Sequence, residues 1–151
     1  MALKHNNFNF RVAQVMPSTM FLFASIMPFS MSKKRILIVE DEENIARAEG
    51  LILGDEFDIH YAKDGNEAIS KAQDLIPHLV ILDLMLPERG GYDVCFHLRQ
   101  NKQFKDTKII IVTAKNTKLD EDKGMFIGAD DFLTKPFEPD ELRHIVQQNM
   151  R

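Results

Sequence analysis

The chain has 151 residues, with 19 Lys and Arg against 23 Asp and Glu, one cysteine and no tryptophan. A formal net charge of -4 argues against a nucleic-acid scaffold, which needs clustered cations to neutralise phosphates. Cys95 alone closes no intrachain disulfide or thiolate metal cage, and no run of about 18 uncharged apolar residues is present to span a bilayer.

The averages conceal a split. Residues 1–30 hold no Asp, Glu or Gly and only Lys4 and Arg11 as full charges, whereas Met31 onward carries 17 basic and 23 acidic residues, leaving -6. The leader's apolar stretch, Met20 to Met27, lies between Pro17 and Pro28 and is too short to cross a membrane. Its basic start and small residues Ala24 and Ser25 suggest a signal peptide, but the prolines interrupt it and no A-x-A-like cleavage site follows. Lys and Arg are too sparse for a segment lying on a membrane. The expectation is an N-terminal extension over 1–30, disordered or upstream of a true start at Met31, and one functional domain over 31–151.

In chain order, unbroken apolar runs at Ile36–Val39, Leu79–Leu82 and Ile109–Val112 suit strands buried on both faces of a parallel sheet. Phe57–Tyr61 alternates, and Asp131–Thr134 is short and mixed, so both read as edge strands. Helical spacing falls between them. Ile45, Ala48 and Ile52 share one face, Ile69, Ala72 and Ile76 a second, and Val94 with Leu98 a third. Leu119 and Phe126 sit two turns apart in the fourth, and Leu142, Ile145 and Val146 cluster in the fifth, which starts with Pro139, Asp140 and Glu141. Gly54, Gly65 and Gly90-Gly91 punctuate the connections. Five strands alternating with five helices predict an α/β doubly wound parallel sheet, flavodoxin-like, with order 2-1-3-4-5 and helices on both faces. Ligand chemistry is expected where the order reverses, at the carboxyl ends of the first and third strands.

Those ends are acidic. Glu40 and Asp41 follow the first strand and Asp83 the third. Like charges brought close repel, and a hard cation relieves them; oxygen donors without His or Cys point to Mg²⁺ rather than zinc. Thr113 ends the fourth strand, and Lys135-Pro136 follows the fifth. A carboxylate nucleophile, a divalent cation, a hydroxyl and an ammonium are the parts needed to transfer a phosphoryl group to an aspartate.

Ile36–Glu42, Val80–Pro87, Ile111–Lys115 and Gly128–Phe137 together resemble the receiver domain of two-component response regulators, over about Lys33 to Val146. The resemblance implies that Asp83 is the phosphoacceptor and that Glu40, Asp41 and Asp83, with the Met85 carbonyl, hold Mg²⁺. It implies that Thr113 and Lys135 contact the phosphoryl group, that Phe132 is an aromatic switch coupled to Thr113, and that the Lys135–Pro136 bond is cis. Glu40-Asp41 stands where Asp-Asp is commoner, a variant that leaves metal binding intact. Met85 and Lys115 match positions that tune dephosphorylation, and their bulk and charge lead to an expected lifetime of minutes or longer.

The remaining polar residues have plainer readings. Glu42 and Glu43 are first-turn helix acids, and His60, His78, His97 and His144 lack metal spacing. Cys95 is a small residue packed on the sheet, and Asp120-Glu121-Asp122 is a solvent face or docking surface. The implied function is a stand-alone cytoplasmic switch, not an enzyme in the ordinary sense. A sensor histidine kinase or histidine phosphotransfer protein would charge it, and output would pass to an effector protein without direct nucleic-acid contact or a membrane span. A phosphorylation-dependent dimer through helix 4, strand 5 and helix 5 fits the same resemblance, and a phosphorelay intermediate is the alternative. An aspartyl-phosphate hydrolase would carry a second Asp where Met85 stands, and no G-x-G-x-x-G follows the first strand.

Overall fold

Four consecutive apolar side chains cannot be divided between a core and water, and the three such runs lie in the middle of a sheet. The computed structural model describes residues 32–151; the expectations for residues 1–30 and for a start at Met31 lie outside the described residues. The strands are β1 (Arg35–Val39), β2 (Asp58–Ala62), β3 (Leu79–Leu82), β4 (Lys108–Thr113) and β5 (Asp131–Thr134). They pair in parallel in the order β2-β1-β3-β4-β5. The register aligns Val39 with Leu82 and Leu82 with Ile111, so the chain leaves β1, β3 and β4 along one carboxyl edge.

The helices are α1 (Glu43–Leu53), α2 (Gly65–Leu75), α3 (Gly91–Gln100), α4 (Lys118–Ile127) and α5 (Pro139–Asn149). Leu37, Val80, Leu82, Ile109 and Ile111 pack under Ala68, Ala72, Val94 and Leu98 of α2 and α3. On the opposite face Ile36, Ile38, Ile81, Ile110 and Val112 meet Ala46 and Leu53 of α1 and Leu142, Ile145 and Val146 of α5. Two cores, one on each face, explain why β1, β3 and β4 show no polar alternation. Asp130 braces the far end of the sheet, accepting hydrogen bonds from Arg99 Nη2 at 2.6 Å, Ile109 N at 2.9 Å and Lys108 Nζ at 3.0 Å. The Lys135–Pro136 peptide bond is cis.

Two helix faces differ from expectation. In α1 the buried positions are Ala46, Glu49, Gly50 and Leu53, one step around from Ile45, Ala48 and Ile52. At Gly50 a Cβ would lie 2.1 Å from the Tyr61 hydroxyl, so the missing side chain leaves room for that β2 tyrosine against α1 at a position that apolar counting overlooks. In α4 Leu119 and Phe126 do not face the sheet; they are 76% and 93% exposed. The inward residue is again a glycine, Gly124, whose Cβ would sit 2.6 Å from Ile111 Cδ1. The helix rests on the sheet through Gly124 and the partly buried Ile127 and leaves Leu119 and Phe126 in solvent.

Candidate functional site

Four of the five strand ends, all but that of β2, deliver a polar residue to the carboxyl-edge cluster. Glu40 follows β1, and its amide donates to the Ala62 carbonyl at 3.0 Å, which holds the turn against β2. Asp83 follows β3 and is fixed in the same way by its amide bond to the Val39 carbonyl at 3.0 Å. Thr113 ends β4 and is fully buried, with Oγ1 accepting from the Lys115 amide at 3.4 Å. Lys135 follows β5, its amide bonded to the Thr113 carbonyl at 2.9 Å. The close approach of α3 to the β3 end depends on Gly91, where a Cβ would stand 2.2 Å from the Asp83 carbonyl oxygen.

The Lys135 ammonium is the centre of the cluster. It donates to Glu40 Oε2 and lies 3.3 Å from Asp83 Oδ2 and 3.7 Å from Glu49 Oε1. Asp83 Oδ1 accepts from the Met85 amide at 2.9 Å, and Glu40 Oε1 accepts from the Glu42 amide at 3.1 Å. Burial alone would raise the Asp83 carboxyl, but the Met85 amide, the Thr113 hydroxyl and Lys135 outweigh it and hold it below the usual range. For Glu40 the balance reverses: desolvation prevails over Lys135 and the Glu42 amide and raises it. Lys135 is itself raised, because the surrounding carboxylates outweigh its own desolvation.

The residues singled out in the sequence thus divide. Glu40, Asp83, Thr113 and Lys135 meet. Asp41 is exposed and lines, with Glu40, an open cavity of about 490 Å³ that runs toward Arg47, Lys63 and Lys71. The Met85 side chain points outward, 58% exposed. Lys115 makes no ion pair with Asp83; its ammonium lies 5.8 Å from the centre of the Tyr92 ring. Phe132 is half-buried, its ring 3.7 Å from the point where a Gly124 Cβ would stand, on the face shared with Ile111. The donors at this edge are all oxygens, which suits a hard cation. As they stand, no three carboxylate, imidazole or thiolate groups among the described residues are gathered tightly enough to ligate one ion.

Glu49 was absent from the sequence reading. It sits on the buried face of α1, three residues after Ala46 and four before Leu53, and is 3% exposed. Desolvation, only partly offset by Lys135 and reinforced by Glu40 and Asp83, pushes its carboxyl up to about 7. The available signal was an acid at apolar helical spacing, on the helix that leads away from the Glu40-Asp41 pair.

Comparison with known proteins agrees with this architecture. The family model described as "Response regulator receiver domain" matches residues 36–147. The alkaline phosphatase synthesis transcriptional regulatory protein PhoP of Bacillus subtilis is 41% identical over 119 residues, covering 78% of this chain and 49% of PhoP. Protein PilG of Pseudomonas aeruginosa is 35% identical over 117 residues, covering 77% of this chain and 87% of PilG. A crystal structure of a response regulator from Chloroflexus aurantiacus superposes with a TM-score of 0.75 at 32% identity, covering 79% of this chain and 98% of that one. The chain spans about half the length of several curated relatives that it matches, PhoP among them. With the sheet order, the carboxyl-edge cluster and a family match over most of its length in agreement, the chain belongs to the response regulator receiver domain family.

Proposed function

We propose that Asp83 accepts a phosphoryl group from a phosphohistidine donor, and that the resulting acyl phosphate sets a signalling state read by a partner protein. The observation that carries this reading is the Lys135 ammonium shared between Asp83 and Glu40 at the carboxyl edge. Asp83 Oδ1 is tied to the Met85 amide, so Oδ2, held only by the Lys135 ammonium at 3.3 Å, is the oxygen that would attack phosphorus. The new O–P bond forms as the donor's P–N bond breaks, and the electron pair leaves with the imidazole nitrogen. Lys135, released from Asp83, then pairs with a phosphoryl oxygen, and the Thr113 hydroxyl donates to another.

Glu40, Asp41, Asp83 and the Met85 carbonyl would hold Mg²⁺, which when bound neutralises charge building on the phosphoryl oxygens. Holding it requires Glu40 to loosen from Lys135, so the ammonium and the metal share the same acids. Movement of Thr113 toward the phosphoryl group would open space beside Ile111 and Gly124 for the Phe132 ring, shifting α4 and β5 between two states.

The domain acts as a switch rather than a turnover enzyme. No helix among the described residues is long and apolar enough to cross a membrane. A cytoplasmic, stand-alone arrangement with output through protein contacts belongs to the same proposal. It is supported by the near full-length match to PilG and by the acidic charge of residues 31–151. PhoP and the DNA-binding regulators MtrA, which this chain half covers, favour the other arrangement, in which a receiver is joined to a DNA-binding part. The test is intact-mass measurement after incubation with Mg²⁺ and acetyl phosphate. One phosphoryl adduct is expected on the wild type and none on Asp83→Asn; an equal adduct on both would refute the assignment.

A further inference from the structure

Lys135 has three carboxylates and one charge. Glu40 and Asp83 reach it from the ends of β1 and β3, and both are accounted for by the acceptor chemistry. Glu49 reaches it from α1 at 3.7 Å, beyond hydrogen-bonding distance, and its Oε1 has no hydrogen-bond partner. A carboxylate buried to this extent is costly unless a charge answers it, and Lys135 is the one cation within ion-pair range of Glu49 among the described residues. An apolar side chain would continue the face formed by Ala46 and Leu53 without that cost.

We propose that Glu49 is a positioning residue that draws the Lys135 ammonium toward α1 and so restrains its transfer to a phosphoryl group on Asp83. The inference rests on the reading of Asp83 as the phosphoacceptor and names a control on it. Removing the Glu49 charge leaves Lys135 with one anionic competitor fewer, and the ammonium passes more readily to the added phosphoryl oxygens. The resting state gains a local restraint on activation that lies outside the five side chains that perform the transfer.

The experiment measures calorimetrically the affinity of the full chain for beryllofluoride, a phosphoryl mimic, with saturating Mg²⁺ at pH 8. The proteins are wild type, Glu49→Gln, Glu49→Leu and Glu43→Gln. Glu49→Gln keeps the shape and a carbonyl acceptor without the charge, and Glu49→Leu provides the measurement if a buried amide prevents folding. Glu43→Gln removes an acid from the same helix, one that pairs with Arg47 rather than Lys135. Binding roughly fivefold or more tighter is expected in both Glu49 variants and not in Glu43→Gln. Unchanged or weaker binding in the Glu49 variants overturns the inference alone, as does an equal gain in Glu43→Gln, which would indicate a general charge effect. A wild type that does not bind beryllofluoride overturns the phosphoacceptor reading and this inference with it.

Discussion

Replacing Glu49 by Gln should stabilise the protein, and by an amount that grows with pH. The Glu49 carboxyl is raised from 4.5 to about 7, chiefly by desolvation. Between those values the folded protein retains a proton that the unfolded chain has released, so stability falls as pH rises through that window and the loss is complete above about 7. The displacement corresponds to about 3 kcal/mol at roughly 1.4 kcal/mol per pH unit. Its near-complete burial leaves little solvent screening to reduce the figure. Glu49→Gln removes the titration and keeps the volume. In urea unfolding with a metal chelator present, the variant should match the wild type near pH 4.5 and exceed it by up to about 3 kcal/mol at pH 8. A difference that stays the same at both pH values, or a less stable variant at pH 8, would refute the account of Glu49 as a buried, destabilising acid.

Three further outcomes are expected. Gly91→Ala brings a Cβ to 2.2 Å from the Asp83 carbonyl oxygen, so it should cost about 1–3 kcal/mol in urea unfolding and impair adduct formation by displacing the acceptor loop. Asp130→Ala strips the shared acceptor from Arg99, Lys108 and the Ile109 amide and should cost about 3 kcal/mol, while the variant still takes a phosphoryl group; retained stability would contradict the bracing role. The acyl phosphate should persist for minutes or longer after removal of acetyl phosphate, followed by intact mass. Decay within seconds would contradict the expectation placed on Met85 and Lys115, and the turn of Lys115 toward Tyr92 makes this the more demanding test.

The sheet was legible because burial on both faces leaves an unmistakable mark. Ile36–Val39, Leu79–Leu82 and Ile109–Val112 suited interior strands by their shortness and β-branched content, and they lie in the middle of the sheet, with the alternating and mixed runs at its edges. Helix faces were less legible where a glycine makes the contact. Leu119 and Phe126 marked α4 by their two-turn spacing, but Gly124 is the residue that lies against Ile111, and both side chains face outward. In α1 the buried face lies one step around from Ile45, Ala48 and Ile52, and it too includes a glycine, Gly50. At the candidate site, the strand-end residues could be named because sheet order dictates where strand ends converge. Glu49 could not, since an acid on a helix normally belongs to the wet face. In the folded chain it lies instead on the buried face with Ala46 and Leu53, 3.7 Å from the Lys135 ammonium.

The exposure of Leu119 and Phe126 also bears on output. Both lie on α4, beside β5 and Phe132, where the proposed switch would move. Tyr92 ties the same helix to α3 through its hydroxyl, 3.2 Å from the Asp120 carboxylate, with the Lys123 ammonium 4.1 Å from the ring centre. A helix held by a few polar contacts, one packed isoleucine (Ile127) and a glycine seat is easier to displace than one locked by many interdigitated side chains.

The central claim is that one particular carboxylate is phosphorylated, and the most direct measurement locates it chemically. After incubation with Mg²⁺ and acetyl phosphate, borohydride reduction converts an aspartyl phosphate to homoserine, which peptide sequencing by mass spectrometry assigns to a position. The account predicts homoserine at residue 83 alone, dependent on Mg²⁺ and absent from Asp83→Asn. Homoserine at residue 41, or none at residue 83 in a folded, Mg²⁺-saturated protein, would contradict it.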